Sequence, residues 1–459
     1  MLLTVRPPAV MNRTTLLSDI AAGMLTAVVF YAEYISLGAT LGAQIPGAGK
    51  DSAHVLGSLL VIGAVMMCCV SSLVWRLPVP LLSGPRAASL LLMIAGLGWV
   101  QSHATANLLL RPLTATVAMG LMLLAASLVQ LLGLVRKVRD AVERAPRALT
   151  RGFMFVTATG IVAGMVENQL SGCLQFDFWP TLVVFGVSVG VASAWMKWCD
   201  QGASVRKRLK VGTIFVGMGV AWGGYAWLLP GASSRNGCGT LGAVGLRWET
   251  LGERFIGNLP LDAAWHGLNP LQWLVIAGIG VAMGLVQLIE SLMALEANDR
   301  IGTDHDIWPR YIAASATANL FSATFGLASS AWSGARSTTL AQSHASTRVA
   351  VASHGIALMV LALAATRLVA ALPVLAVAVA LTLVAVQMID EKTEKEVWQA
   401  GYQKLAAPRQ VQAAWLFWVV VCTGFFSGKA IYGLLAGAVL AGAHVVRVMV
   451  TTPKDEAAV

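Results

Sequence analysis

Long apolar runs separated by short polar stretches fill almost the whole chain, and their lengths predict helices rather than strands. In the first half the runs are Asp19–Gln44, Val55–Trp75, a stretch from near Pro85 to about Val100, Leu113–Leu134, Gly152–Val166, Trp179–Trp195 and a seventh ending near Pro230. In the second they are Leu271–Leu295, Tyr311–Phe325, and spans near Thr347–Leu363, Val369–Met388, Val411–Phe425 and Ala430–Met449. The pattern fails at two corresponding places. Pro78 and Pro80 exclude a regular helix over Leu77–Leu82 and favour extended backbone. Gly326–Ser333 lacks apolar periodicity. Each break predicts a helix that starts inside the apolar layer, and Pro85 suits a helix start because its missing N–H is one the first turn leaves unpaired.

A short phrase follows each break. Ser83-Gly84-Pro85-Arg86-Ala87-Ala88-Ser89 and Ser333-Gly334-Ala335-Arg336-Ser337-Thr338-Thr339 share Ser-Gly-x-Arg and then small residues. Ahead of each lies one acid in an apolar run, Glu33 and Glu290. Two helices starting at one spot would aim free N–H groups and roughly +0.5 of partial charge each at it, a ready anion site. Arginine adds a full charge on a planar fork suited to oxyanions. The candidate substrate-binding residues are therefore Ser83, Gly84, Arg86 and Ala87 from the first copy and Ser333, Arg336 and Ser337 from the second. An ionised side chain at mid-membrane costs about 2.5 to 3.5 kcal/mol and so faces protein or a water-filled cavity, which makes Glu33 and Glu290 candidates for ion coupling.

Composition settles the solvent: 57% hydrophobic, 12% charged and a mean hydropathy of +0.72 in 459 residues mark an integral membrane protein of about a dozen spans. The net charge of +10 is explained by the positive-inside rule rather than by nucleic acid. Arg136, Lys137, Arg139, Arg144, Arg147 and Arg151 form one cytoplasmic loop, and Lys197 and Arg206–Lys210 belong to another. Both termini are then cytoplasmic, with no removable signal peptide expected. The polar interval 231–270 is placed outside and divides the chain into 1–230 and 271–450, with a short tail 451–459. Six cysteines form no C-x-x-C pair, and no zinc-type spacing occurs, so neither metal nor cofactor is expected. Cys173 and Cys238 fall in outside loops, where a disulfide can form. His344 and His354 form no cluster and are read as structural or solvated. A membrane enzyme would need a nucleophile, metal cluster or phosphate loop, and none is found.

Taken as a series, several motifs resemble the sulfate permease (SulP) family of anion transporters. They are Asp19-Ile20-Ala21-Ala22-Gly23 through Glu33, Gly84-Pro85-x-Ala87, Pro146–Phe153 through Gln169-Leu170, Ile289-Glu290-Ser291, and Ala318-Asn319 through Ser322, Phe325 and Gly326, with Leu372-Pro373 and Met388-Ile389-Asp390 after them. The resemblance spans about residues 19 to 449. It implies an all-α membrane fold of seven plus seven inverted segments with core and gate domains, an elevator-like movement, and an anion held between the third and tenth segments. It places Arg336 at the family's arginine and Glu290 at the acid associated with cation or proton coupling. Dimers are the assembly it suggests. Glu33 stands where a glutamine is usual, Arg86 where the family commonly has an uncharged residue, and Ala331-Trp332 where Thr-Gly is common. Trp332 is bulky enough to reshape the pocket. The cytoplasmic STAS domain that usually follows the last helix is not expected here.

These readings converge on a secondary active transporter in the inner (plasma) membrane for sulfate, bicarbonate or a small dicarboxylate, coupled to H⁺ or Na⁺. The alternatives are a transporter of nucleobases or other organic substrates on the same architecture, and an uncoupled exchanger or channel.

Overall fold

In the computed structural model the described residues are 13–42, 45, 50–104, 111–138, 155, 159, 162, 170–201, 212–229, 239–240, 264–296, 307–343, 345–364, 371–388, 418–419, 421–423, 436, 439–440 and 443. The expected spans Gly152–Val166, Val411–Phe425 and Ala430–Met449 therefore lie mostly outside them. The first half provides α1 (Arg13–Gly42), α2 (Lys50–Val74), β1 (Ser83–Gly84), α3 (Ala87–His103), α4 (Arg111–Leu132), α5 (Ser171–Phe176), α6 (Phe178–Asp200) and α7 (Thr213–Leu228). The second provides α8 (Pro270–Glu296), α9 (Trp308–Phe325), β2 (Ala331–Trp332), α10 (Gly334–Gln342), α11 (Arg348–Ala364) and α12 (Val374–Met388). Among the described residues, four helices are long and apolar enough to cross a membrane. The number is five if α1, bent by 42° between Thr15–Tyr31 and Glu33–Gly42, is one span.

The elements pack as two groups. In the larger, α1 lies against α2 and α11, α4 against α8 and α9, and α2 against α9. In the smaller, α6, α7 and α12 pack together, joined to the first through contacts of α1 with α12. Each group has its own apolar interior. Phe30, Leu41, Met93, Met122, Met283 and Leu358 belong to the first, and Ala192, Met218, Ala221 and Val379 to the second. Outward faces of α6 and α8 carry exposed Trp179, Val183, Val187, Leu271 and Leu274, as lipid contact requires of helices that are apolar all round.

The two breaks are built alike. At the end of α2, the N–H of Leu77 donates to Ser72 O (3.3 Å) and that of Arg76 to Leu73 O (3.2 Å). At the end of α9, Leu327 N–H donates to Ser322 O (2.9 Å) and Gly326 N–H to Ala323 O (3.3 Å). Both pairs are the Schellman arrangement, which needs a left-handed residue just past the helix. Gly326 takes φ 58° and Arg76 takes φ 48°. The chain then runs extended into β1 and β2, which pair antiparallel with Ser83 opposite Trp332 and Gly84 opposite Ala331. Among the described residues the other strand-like pairing is one bridge, Thr240 with Pro373 at the start of α12.

Cys173 is disulfide-bonded, while Cys68, Cys69, Cys199 and Cys422 are free. The expected partner Cys238 lies outside the described residues.

Candidate functional site

Proline and extended backbone at the first break, and the Gly326 turn at the second, bring α3 and α10 to start side by side. The strand pair is buried on both sides. Ser333 N–H donates to Leu82 O (3.1 Å), and Ser337 Oγ accepts from Leu82 N–H (3.1 Å) while lying 3.4 Å from Leu82 O. The Ser337 hydroxyl thus ties α10 to the first break. Ser333 caps α10, its Oγ accepting from Arg336 N–H (3.3 Å) in the usual N-cap role. The same oxygen accepts from Arg86 Nη1 (3.0 Å). Arg86 itself is the N-cap residue of α3. Ser329 Oγ donates to Ser89 Oγ (3.1 Å) in the first turn of α3. The breaks are one hydrogen-bonded unit.

All four expected charges meet there, and they cross between halves. Arg336 of α10 donates Nη2–H to Glu33 Oε1 of α1 (2.5 Å) and Nε–H to Oε2 (3.4 Å), with Nη2 also donating to Pro85 O (2.8 Å). Its guanidinium carbon lies 4.7 Å from the Tyr34 ring centre and 5.8 Å from that of Phe30, a cation–π seat. Arg86 Nε lies 3.5 Å from Glu290 Oε1 of α8. At that distance it is an ion pair without an aligned hydrogen bond. The first pair is bidentate and close, the second loose. The arginine and glutamate side chains are 2% and 13% exposed in the first, 21% and 3% in the second.

Gly84 makes the close pair possible. A Cβ built there would lie 2.7 Å from Arg336 Nη1, so any larger residue would push the guanidinium aside. Ser83 is buried in β1, and of Ala87 the backbone at the start of α3 is described. Two charged groups in the cluster keep unused polar atoms: Arg336 Nη1 and both oxygens of Glu290 are buried without a hydrogen-bond partner. Tyr34 Oη is buried without one as well.

Trp332 does not shape this pocket. Alternation along β2 sends its ring the other way, into an apolar cluster with Leu77, Leu81, Leu288 and Tyr311, where Nε1 donates to Tyr311 O (2.8 Å). Tyr311 Oη in turn bonds the backbone of Val79. The residue that departs most from the resembled family in size is thus a wall anchor holding both breaks to α9. His354 is not solvated: it is fully buried, with Nδ1 3.1 Å from Thr26 Oγ1 of α1 and Nε2 without a hydrogen-bond partner. His344 lies outside the described residues.

Sequence reading overlooked a buried amide cluster behind β2. Gln130 Nε2 of α4 donates to Gln287 Oε1 of α8 (3.0 Å), and Asn319 Nδ2 of α9 donates to Ser330 O (2.8 Å) and to Gln130 Oε1 (3.1 Å). Asn319 Oδ1 accepts from Ser330 N–H (3.0 Å). The signal was present as three amides inside apolar runs, where a polar side chain needs a partner. It fixes the approach to β2 and, through Gln287 one turn before Glu290, the face of α8 that carries the acid. Asp19, fully buried, does similar work at the other end of α1, accepting from Ser346 N–H (2.7 Å), Thr347 N–H (2.9 Å) and the Thr347 hydroxyl at the start of α11. Among the described residues no group of three or more His, Cys, Asp or Glu side chains is placed to hold a metal.

The fold is shared with solved membrane transporters. Over 93% of its length the chain is similar to the transmembrane domain of a cyanobacterium bicarbonate transporter, BicA, at a TM-score of 0.63 and 16% identity, covering 98% of that chain. It is similar to SLC26A9 at a TM-score of 0.64 and 14% identity, over 96% of this chain and 67% of that one. A third likeness is to the murine Slc26a9 anion transporter in its inward-facing state, at a TM-score of 0.65 and 12% identity, over 96% of this chain and 70% of the other. No family profile and no curated protein sequence matches the chain. At such identities the likeness establishes the fold, with the sites argued from this chain's own residues.

Proposed function

We propose that this protein is a secondary active transporter of a small anion, of the sulfate permease type and built from two inverted seven-segment repeats. The observation that carries the reading is the meeting of the α3 and α10 starts at the buried strand pair, where the positive ends of two helices favour negative charge. The bicarbonate and anion transporters that share the fold support it. Sulfate, bicarbonate and small dicarboxylates are the substrate candidates, bound between Ser83–Ala87 and Ser333–Ser337.

Uptake of an anion against a negative-inside potential works against about 2.3 kcal/mol per charge per 100 mV, and co-transport of H⁺ or Na⁺ offsets it. Glu33 and Glu290 are the coupling groups in this reading, because a cation reaching either carboxylate competes with its resident arginine. The larger helix group, with the site attached, moves as an elevator against α6, α7 and α12, as a homodimer in the inner membrane. The experiment is proteoliposome uptake of labelled sulfate, bicarbonate and succinate under imposed H⁺ or Na⁺ gradients. Saturable, gradient-driven uptake of one of them is expected. Uptake of uracil with no anion transported would overturn the reading.

One observation favours a second reading. Both arginines are already paired with carboxylates, leaving the four side chains with no net charge. A neutral polar ring such as a nucleobase would suit such a site.

A further inference from the structure

We infer that the transported species is a monovalent anion that itself carries a hydrogen-bond donor, with the donor received by Glu290. This rests on the anion-transport reading and narrows it. The charge count comes first. Glu33 balances Arg336 and Glu290 balances Arg86, so the attraction left for a substrate is that of the two helix starts, roughly +0.5 each. One negative charge is matched by that sum. A second is not, because both arginine charges are already spent on the two carboxylates.

The hydrogen-bond inventory adds the donor. Both oxygens of Glu290 are buried and lack a hydrogen-bond partner, although Arg86 lies within ion-pair distance. An ionised carboxylate offers about four acceptor positions and no donor. Whatever sits beside it at the start of α3 must donate. The opposite need stands across the cluster, where Arg336 Nη1 is a buried donor without an acceptor. A ligand satisfying both has a negative oxygen at one end and an O–H or N–H at the other. Bicarbonate and half-protonated dicarboxylic acids have this form, whereas sulfate and nitrate have acceptors alone. A site whose buried polar group depends on a substrate hydroxyl discriminates strongly against the analogue that lacks it. With Glu290 committed to the substrate, cation coupling falls to Glu33.

Bicarbonate and nitrate are both flat, trigonal monoanions and differ by one donor, so they isolate the effect. Uptake of each, and of sulfate, is measured with the full chain in proteoliposomes. Bicarbonate is expected to be favoured over nitrate by at least about tenfold, the penalty of one unmet buried acceptor, with sulfate below both. In Glu290→Gln the amide can donate to nitrate and one negative charge is gone, so the bicarbonate preference should collapse and sulfate uptake should rise, while Glu290→Asp should retain the preference. Equal uptake of nitrate and bicarbonate by the unaltered protein overturns the inference and leaves anion transport standing. An unchanged preference in Glu290→Gln removes Glu290 from the role. Uracil uptake without any anion would instead remove the reading beneath it.

Discussion

The two breaks share a design and differ in how tightly they hold their charge. Each follows a Schellman-capped helix, runs extended for several residues, pairs with the other and starts a helix beside an arginine. The second half's arginine is buried, bidentate to Glu33, hydrogen-bonded to Pro85 O and stacked on Tyr34. Arg86, in the first half, is a fifth exposed, touches Glu290 at 3.5 Å and bonds one serine. The difference separates a framework charge from an adjustable one. Arg336 holds α1, α10 and the residue after β1 together and keeps one nitrogen, Nη1, unused, whereas Arg86 is held loosely and Glu290 has both oxygens free to meet a substrate.

The largest effect should come from breaking the tight pair. Arg336→Gln leaves the half-buried Glu33 without its counter-charge, and a loss of about 3 kcal/mol is expected, read as a fall in thermal unfolding temperature in detergent. The double variant Glu33→Gln with Arg336→Gln should recover much of it, since no buried charge is then left alone. A double variant no more stable than Arg336→Gln would show that the pair is not what Arg336 supports.

Gly84→Ala attacks the same pair sterically. The added methyl lies 2.7 Å from Nη1, so a loss of about 1–3 kcal/mol is expected, with transport falling as well. Wild-type stability in this variant would mean the guanidinium has room to move.

The turns offer a paired test of the two halves. Gly326→Ala places a Cβ in left-handed backbone and 2.5 Å from Thr116 Cγ2, and should cost about 1–2 kcal/mol or more. Arg76 already bears that strain, so Arg76→Gly should stabilise by up to about 1 kcal/mol. The opposite signs are the prediction, checked by unfolding temperature. Smallest is Trp332→Phe, which loses the bond to Tyr311 O. A cost of about 1 kcal/mol with unchanged substrate preference is expected, and altered selectivity would return Trp332 to the pocket.

Much of this was legible because membranes constrain sequence strongly. Proline at 78 and 80 announced the first break, the lost apolar periodicity of 326–333 the second, and lone acids in apolar runs marked Glu33 and Glu290. Helix limits came within a few residues for most described spans; α1 starts at Arg13 rather than Asp19. What a linear reading could not supply was partnership. Two arginines beside two helix starts read as an anion clamp, yet the carboxylates that neutralise them lie hundreds of residues away, and nothing local tells which acid meets which arginine. Trp332 misled for a related reason. Its bulk was visible, but the side of a two-residue strand it occupies depends on a register set by pairing with Ser83.

The crossed pairs also bear on how the protein is made. Glu33 and Arg336 are separated by 303 residues, so the first half must enter the bilayer long before the cation that finally holds Glu33 has been synthesised. Throughout that interval α1 carries an uncompensated acid, and the first half cannot close its centre.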